Sequence, residues 1–287
     1  KMPGKVLCEL KHVSKHYGEN KIVTNASAEI ERGDKIALIG ANGKGKSTLL
    51  RIIAGVEQYE GERKWGHNVD ESFYAQHQLE SLGLNHTLLD ELKTCSTQKT
   101  DQELRTLLGC FLFGGDDIDK KIKVLSGGEK ARIALAKTII SKANFLMLDE
   151  PTNHLDLPSI EWLEKYLLHY QGSVVIVSHD RWFLDRMVTK IVEVFQQDLH
   201  IYGGNYSFYL KEKEIRMELQ QKAFENQQDF IRQQERFIER FRAKASKAAA
   251  AQTAIKKLEK LDVLEAPSSD RPNIRINFAV DKIPGKE

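Results

Sequence analysis

The sequence has little of what would place it outside an ordinary aqueous class. Of its 287 residues only three are cysteine and six are proline. Cys8, Cys95 and Cys110 are odd in number and lack metal-ligand spacing, which argues against a disulfide framework or a zinc module and for reduced thiols in a cytoplasm. No apolar run nears the roughly 18–20 residues that span a bilayer. Lys1-Met2-Pro3-Gly4-Lys5 leads into no apolar signal core. An excess of one charge is missing as well: 43 Lys and Arg face 41 Asp and Glu, a net of +2. Bulk charge therefore excludes a uniformly basic nucleic-acid binder but not a local basic patch.

What is present falls into two parts. Between Gly204 and Pro267 there is neither glycine nor proline. Upstream, short apolar runs such as Lys35–Ile39, Phe145–Leu148 and Ser173–Val177 alternate with helical stretches and glycine-marked junctions. Continuous apolar strands separated by helices predict a mostly parallel sheet covered on both faces, an α/β fold. The chain thus divides into an α/β domain (1–205), a helical segment (206–266) and an extended tail (267–287). From residue 206 onward there are 17 basic and 13 acidic residues, so the appendage is the basic part. Apolar residues recur every seven positions at Leu210, Met217, Phe224, Ile231 and Ile238, widened by Phe230, Phe237 and Phe241. Ile255, Leu258, Leu261 and Leu264 form a second stripe. The d-type positions are mostly glutamine, which disfavours a long parallel coiled coil and predicts two helices folded back on each other, with the reversal near 243–251. Around that reversal Arg240, Arg242, Lys244, Lys247, Lys256 and Lys257 occur without one acid among them. This is a solvated helical tip or, more sharply, a phosphate-contacting one.

The strand Lys35–Ile39 runs directly into Gly40-Ala41-Asn42-Gly43-Lys44-Gly45-Lys46-Ser47-Thr48, and Leu49–Ala54 then reads as helix. This is G-x-x-x-x-G-K-S in its required strand–loop–helix setting, a Walker A phosphate loop. Its glycines let backbone N–H groups curl around phosphate oxygens, and the helix N-terminus adds about half an elementary positive charge. Lys46 supplies a cation for the β- and γ-phosphates, and the Ser47 hydroxyl is a ligand for Mg²⁺. At the carboxyl end of Phe145–Leu148 stand Asp149, suited to the Mg²⁺ shell, and Glu150, suited to polarising the attacking water. Leu125-Ser126-Gly127-Gly128-Glu129 precedes a helix predicted over Lys130–Ile140 and offers a second anion site. One nucleotide needs one phosphate loop, so the second site is most simply explained as the cap of a nucleotide held by another copy.

At this point the chain resembles the ATP-binding cassette superfamily over residues 6–205, with several motifs in the expected order. The resemblance implies that Tyr17 stacks on adenine and that Gln76 touches Mg²⁺ and the attacking water. It implies that Ser126, Gly127, Gly128 and Glu129 contact the γ-phosphate in trans, that Asp156 lies in the loop crossing the dimer interface, and that His179 is the switch histidine. ATP and Mg²⁺ are the cofactors it implies.

The appendage narrows the resemblance to the ABC-F subfamily, whose members lack membrane domains and join two cassettes by a helical hairpin. Glu150-Pro151-Thr152-Asn153-His154-Leu155-Asp156, Tyr202-Gly203-Gly204-Asn205-Tyr206 and the basic tip beginning at Arg240 carry that likeness. It implies an ATPase, active when paired with a second cassette, whose arm reaches the ribosome and its tRNA. Rival readings are an ATP-dependent binder of branched or damaged DNA and the ATPase subunit of a membrane transporter, which leaves the hairpin unexplained. Lys1-Met2-Pro3-Gly4-Lys5 nearly repeats Lys282-Ile283-Pro284-Gly285-Lys286. The chain therefore reads as one period of a two-cassette protein, with its join between a second-cassette front and a first-cassette back near 148–158. The missing cassette would be supplied by a homodimer or by the other half of the same protein.

Overall fold

The computed structural model describes residues 3–75, 82–95, 99–241 and 248–264. Two sheets form the first part. β1 (Val6–Tyr17), β2 (Asn20–Glu31) and β4 (Glu60–Trp65) make an antiparallel sheet in the order β2-β1-β4. β3 (Lys35–Ile39), β5 (Glu71–Tyr74), β6 (Phe145–Asp149), β7 (Ser173–Val177), β8 (Lys190–Phe195) and β9 (Asp198–Gly203) make a second one, ordered β5-β6-β7-β3-β8-β9. Every pairing in it is parallel except β8 with β9. The three apolar runs singled out as strands are its central members.

Why those runs are continuously apolar follows from the pleat. Successive side chains point to opposite faces, and here both faces are covered. Ile36, Leu38, Phe145, Met147, Val175 and Val177 pack on one side with β1, β2 and the helix α1 (Lys46–Ala54). Ala37, Ile39, Leu146, Leu148, Val174 and Ile176 pack on the other. There they meet α2 (Leu88–Lys93), α3 (Asp101–Cys110), α4 (Gly127–Ile140), α5 (Leu157–His169) and α6 (Arg181–Met187). Between α3 and α4 the backbone makes two short 3₁₀ turns.

Two helices start earlier than their apolar periodicity suggested. α1 begins at Lys46, inside the glycine loop, because Gly45 at φ 96° turns the chain directly into it. α4 begins at Gly127, because Ser126 and Glu129 form a reciprocal capping box that satisfies N-terminal donors.

The last long helix, α7 (Tyr206–Phe241), is followed by α8 (Ala248–Glu259). The contacts divide the chain into two compact units after Lys211, within α7, whose fully buried residue is Tyr209. In the second unit the chain folds back on itself. The Gln227 amide donates to Asp262 O at 2.8 Å and accepts from Leu264 N at 2.7 Å. Gln227 precedes the end of α7 by as many residues as Asp262 follows the start of α8, which is the register of an antiparallel hairpin. The helix stops at Glu259, short of the predicted 266, and the chain after it is tied by that glutamine side chain. Phe230 and Phe237 lie on the exposed side, while Phe224, Ile231, Ile238 and Phe241 are half-buried, so the inner stripe is narrower than the sequence suggested. The reversal around 243–251 and the tail 267–287 fall wholly or largely outside the described residues.

Candidate active site

The carboxyl ends of β3, β6 and β7 bring the predicted chemistry to one edge of the sheet, where open α/β folds hold their ligands. Gly40, Gly43 and Gly45 all take positive φ (150°, 73° and 96°). At two of them space adds to the demand. A Cβ on Gly40 would lie 2.7 Å from the Val194 carbonyl oxygen, and one on Gly45 would lie 2.0 Å from Ile22 Cγ2. Lys46 is buried, and its ammonium donates to the carbonyls of Gly40 (3.1 Å) and Ala41 (3.3 Å), so the charge sits inside the loop. Burial lowers its pKa, against the pull of Glu150 and Asp149. Thr48 is buried behind it, while Asn42, Gly43 and Lys44 are exposed along the rim.

Ser47 and Asp149 meet although 102 residues separate them: Ser47 Oγ donates to Asp149 Oδ1 at 2.9 Å. That hydrogen is committed to the carboxylate, which leaves the serine lone pairs for a hard cation. One hydroxyl and one carboxylate are the sparse protein donor set that Mg²⁺ takes alongside phosphate oxygens and water. Among the described residues no three His, Cys, Asp or Glu side chains gather as a metal cluster. The donor set therefore fits Mg²⁺. Gln76, the other predicted ligand, lies outside the described residues.

Glu150 takes φ 51°, a left-handed conformation that is costly for a residue with a Cβ. It is held there by Glu150 N donating to Val177 O at 2.8 Å. Its carboxylate accepts from His179 N at 3.2 Å and lies 3.2 Å from His179 Nε2. Burial raises its pKa above the ordinary glutamate value, against the lowering influence of His179. A carboxylate so raised and aimed at an exposed imidazole has the properties of a general base. One residue, Ser178, separates β7 from His179, and Asp180 after it caps α6 through Phe183 N.

The other predicted residues have local partners. Tyr17 is half-exposed at the tip of the β1–β2 hairpin, with Lys15 Nζ 4.5 Å from its ring centroid and Glu57 2.8 Å from that ammonium. Lys15 supports one side of the ring, a role that its sequence position did not announce. Ser126 and Glu129 are bonded to each other: Ser126 Oγ donates to Glu129 Oε2 at 2.7 Å and accepts from Glu129 N at 3.3 Å. That hydroxyl's donation holds the Glu129 carboxyl below its ordinary pKa. Gly127 has open space around it, and Gly128 faces His154. Asp156 caps α5 by accepting from Ser159 N at 3.2 Å. The structure thus assembles Lys46, Ser47, Asp149, Glu150 and His179, while it gives Ser126, Glu129 and Asp156 helix-capping bonds. Arg240, Lys256 and Lys257 are exposed on the hairpin, and Arg242, Lys244 and Lys247 lie outside the described residues.

Sequence reasoning missed Thr152, whose hydroxyl is 3.3 Å from that of Ser178 and ties the loop after β6 to the end of β7. Only the pairing of β6 beside β7 could reveal it. A separate cleft of about 820 Å³, lined by Trp162, Tyr166, Tyr170, Arg32 and Lys165 among others, contains none of the predicted site residues.

Two family profiles, both described as ABC transporter, match residues 23–153 and 192–278. The chain is 34% identical over 98% of its length to YdiF of Bacillus subtilis, named as an ATP-binding protein, of which it covers 50%. It is 40% identical over 77% of its length to ABC transporter F family member 5 of Arabidopsis thaliana, covering 33% of that protein. It is 33% identical over 91% of its length to YheS of Escherichia coli K12, also named as an ATP-binding protein, covering 46%. The chain spans half or less of the length of these relatives.

Proposed function

The chain belongs to the ABC transporter family, in its F-type branch, and on that premise we propose that it is an ATPase whose cassette moves a basic helical arm on the ribosome and its tRNA. The observation that carries the ATPase half is the meeting of Ser47 and Asp149 beside Glu150 and His179 at the ends of three adjacent strands. In this reading the backbone N–H groups of Gly40–Thr48 and the Lys46 ammonium hold the β- and γ-phosphates. Ser47, Asp149 and Gln76 would hold Mg²⁺, which would supply neutralisation of the charge on the phosphate oxygens. Glu150 polarises the attacking water and accepts its proton, and His179 orients the γ-phosphate. Tyr17 stacks on the adenine ring.

A second cassette closes the site by offering Ser126–Glu129, with Asp156 at the shared face. The capping box leaves Gly127 and Gly128 in the first turn of α4, where a helix dipole favours an anion. The chain does its work in the cytoplasm, and no helix among its described residues is long and apolar enough to cross a membrane. The arm's partner is inferred from the acid-free run between Arg240 and Lys257, whose cations suit RNA phosphates.

Cosedimentation with ribosomes, with and without ATP, in protein carrying Glu150→Gln tests the reading. ATP-dependent pelleting that is lost when Arg240, Arg242, Lys244 and Lys247 become glutamine is the expected result. Preferential capture by branched DNA under the same conditions would overturn it.

A further inference from the structure

Glu193 is a carboxylate inside an otherwise apolar stretch of β8, only 3% exposed. A polar group in that position must be hydrogen-bonded to be tolerated, and a hydrophobic residue would fill the space with less to satisfy. Both of its oxygens are taken by phenols. Tyr209 Oη donates to Oε1 at 2.8 Å, and Tyr202 Oη donates to Oε2 at 3.3 Å. Tyr202 belongs to β9, whereas Tyr209 sits in the first turn of α7. The rings of Tyr202 and Tyr206 pack on that of Tyr209 with centroids 5.1 and 5.6 Å away. Burial raises the Tyr209 pKa, with the Glu193 charge adding to it, so the phenol keeps its proton and the bond its direction.

The other side of Glu193 faces the phosphate loop through the backbone. It pairs in register with Ile39, the last residue of β3, after which the chain enters Gly40. Gly40 in turn approaches Val194 so closely that only a hydrogen fits between them. A second anchor reaches α7 from α6. Ser207 N donates to Asp185 Oδ1 at 2.6 Å, and Asp185 lies in α6, the helix that starts just after His179. The first turn of α7 is therefore bonded to two elements, each of which leads directly to a residue of the candidate phosphate site.

We propose that Glu193 is a positioning residue that couples the nucleotide site to the arm: displacement of the phosphate loop on β8 is passed through the Glu193–Tyr209 hydrogen bond to the base of α7. This rests on the reading that the cassette binds ATP and moves the arm. In a Glu150→Gln parent, spin labels on exposed Lys165 of the cassette and exposed Gln233 of the arm report their separation with and without MgATP. The parent is expected to show a nucleotide-dependent change in that distance. Tyr209→Phe, alone or together with Glu193→Gln, is expected to bind ATP within about twofold of the parent while losing more than half of the change. Glu193→Gln keeps one neutral carbonyl oxygen that can still accept from Tyr209, so alone it should lose no more of the change than Tyr209→Phe, which removes the bond outright. Tyr209→Phe keeps the ring and its packing, so it reports even if Glu193→Gln fails to fold. A full parental change in Tyr209→Phe overturns the coupling proposal alone. A parent that binds ATP without any change overturns the arm reading, and the coupling proposal with it.

Discussion

Glu150→Gln is the perturbation whose consequences the structure specifies most fully. Glutamine keeps the length of the side chain, and its carbonyl oxygen can still accept from His179 N, which now lies 3.2 Å from the carboxylate. The geometry survives and the base is lost. Positioned general bases contribute on the order of 10²–10⁴-fold, so phosphate release is expected to fall by that much, with ATP affinity changed by less than about threefold. A second readout follows from the raised pKa, where burial outweighs the attraction of His179. A carboxyl whose folded pKa lies above its unfolded one lowers stability as pH rises through the folded value, and has no effect at pH below both, where it is protonated in either state. Glutamine carries no such penalty. The variant is therefore expected to melt above the wild type at pH 8, with the gap closing as pH falls toward the ordinary glutamate range. For the same reason the wild-type ATPase rate should show an acid limb at a pH above the ordinary glutamate pKa. Single-turnover phosphate release and calorimetry across pH check these outcomes. Turnover within about threefold of wild type, or a stability gap that is absent or reversed at pH 8, would refute the assignment of Glu150 as a desolvated base.

Gly45→Ala places a Cβ 2.0 Å from Ile22 Cγ2 at φ 96°. Backbone strain of about 1–2 kcal/mol and overpacking of about 1–3 kcal/mol should both appear in urea unfolding. In an Ile22→Ala background, which carries its own core-truncation cost, Gly45→Ala should add only the backbone part. Ser126→Ala removes the capping bond to Glu129 and should cost about 1 kcal/mol in the same assay. If the arm contacts single-stranded RNA, replacing Arg240, Lys256 and Lys257 by glutamine should flatten the slope of log affinity against log salt by about 2 units. An unchanged slope would place the phosphate contacts elsewhere.

The strands and the glycine loop between β3 and α1 were legible because their signals are local. Lys35–Ile39, Phe145–Leu148 and Ser173–Val177 are apolar at every pleat position or nearly so, which only a doubly covered sheet explains. The loop chemistry is carried by neighbours in sequence, from Gly40 to Thr48. The hairpin was legible in outline, since glutamine at the inner positions argues against a long coiled coil. Its inner face was not: an aromatic residue such as Phe230 or Phe237 has the same hydrophobicity whether it faces its partner helix or solvent. The buried Glu193 was equally opaque, because an acid between Val192 and Val194 carries no sign in the sequence of the phenols that satisfy it.

By itself, the sequence determined the fold class and singled out the candidate phosphate loop with its Lys46 and Ser47 and the acidic pair Asp149-Glu150, because each depends on residue types at short spacing. Tertiary structure decided which of these groups touch. Strand order sets β6, β7 and β3 side by side, and that order alone brings Asp149 to Ser47 and His179 to Glu150. It also decided that the base of α7 is fastened to the strand beside the phosphate loop. Contacts across tens to hundreds of residues depend on how the chain is threaded, which composition and periodicity do not encode.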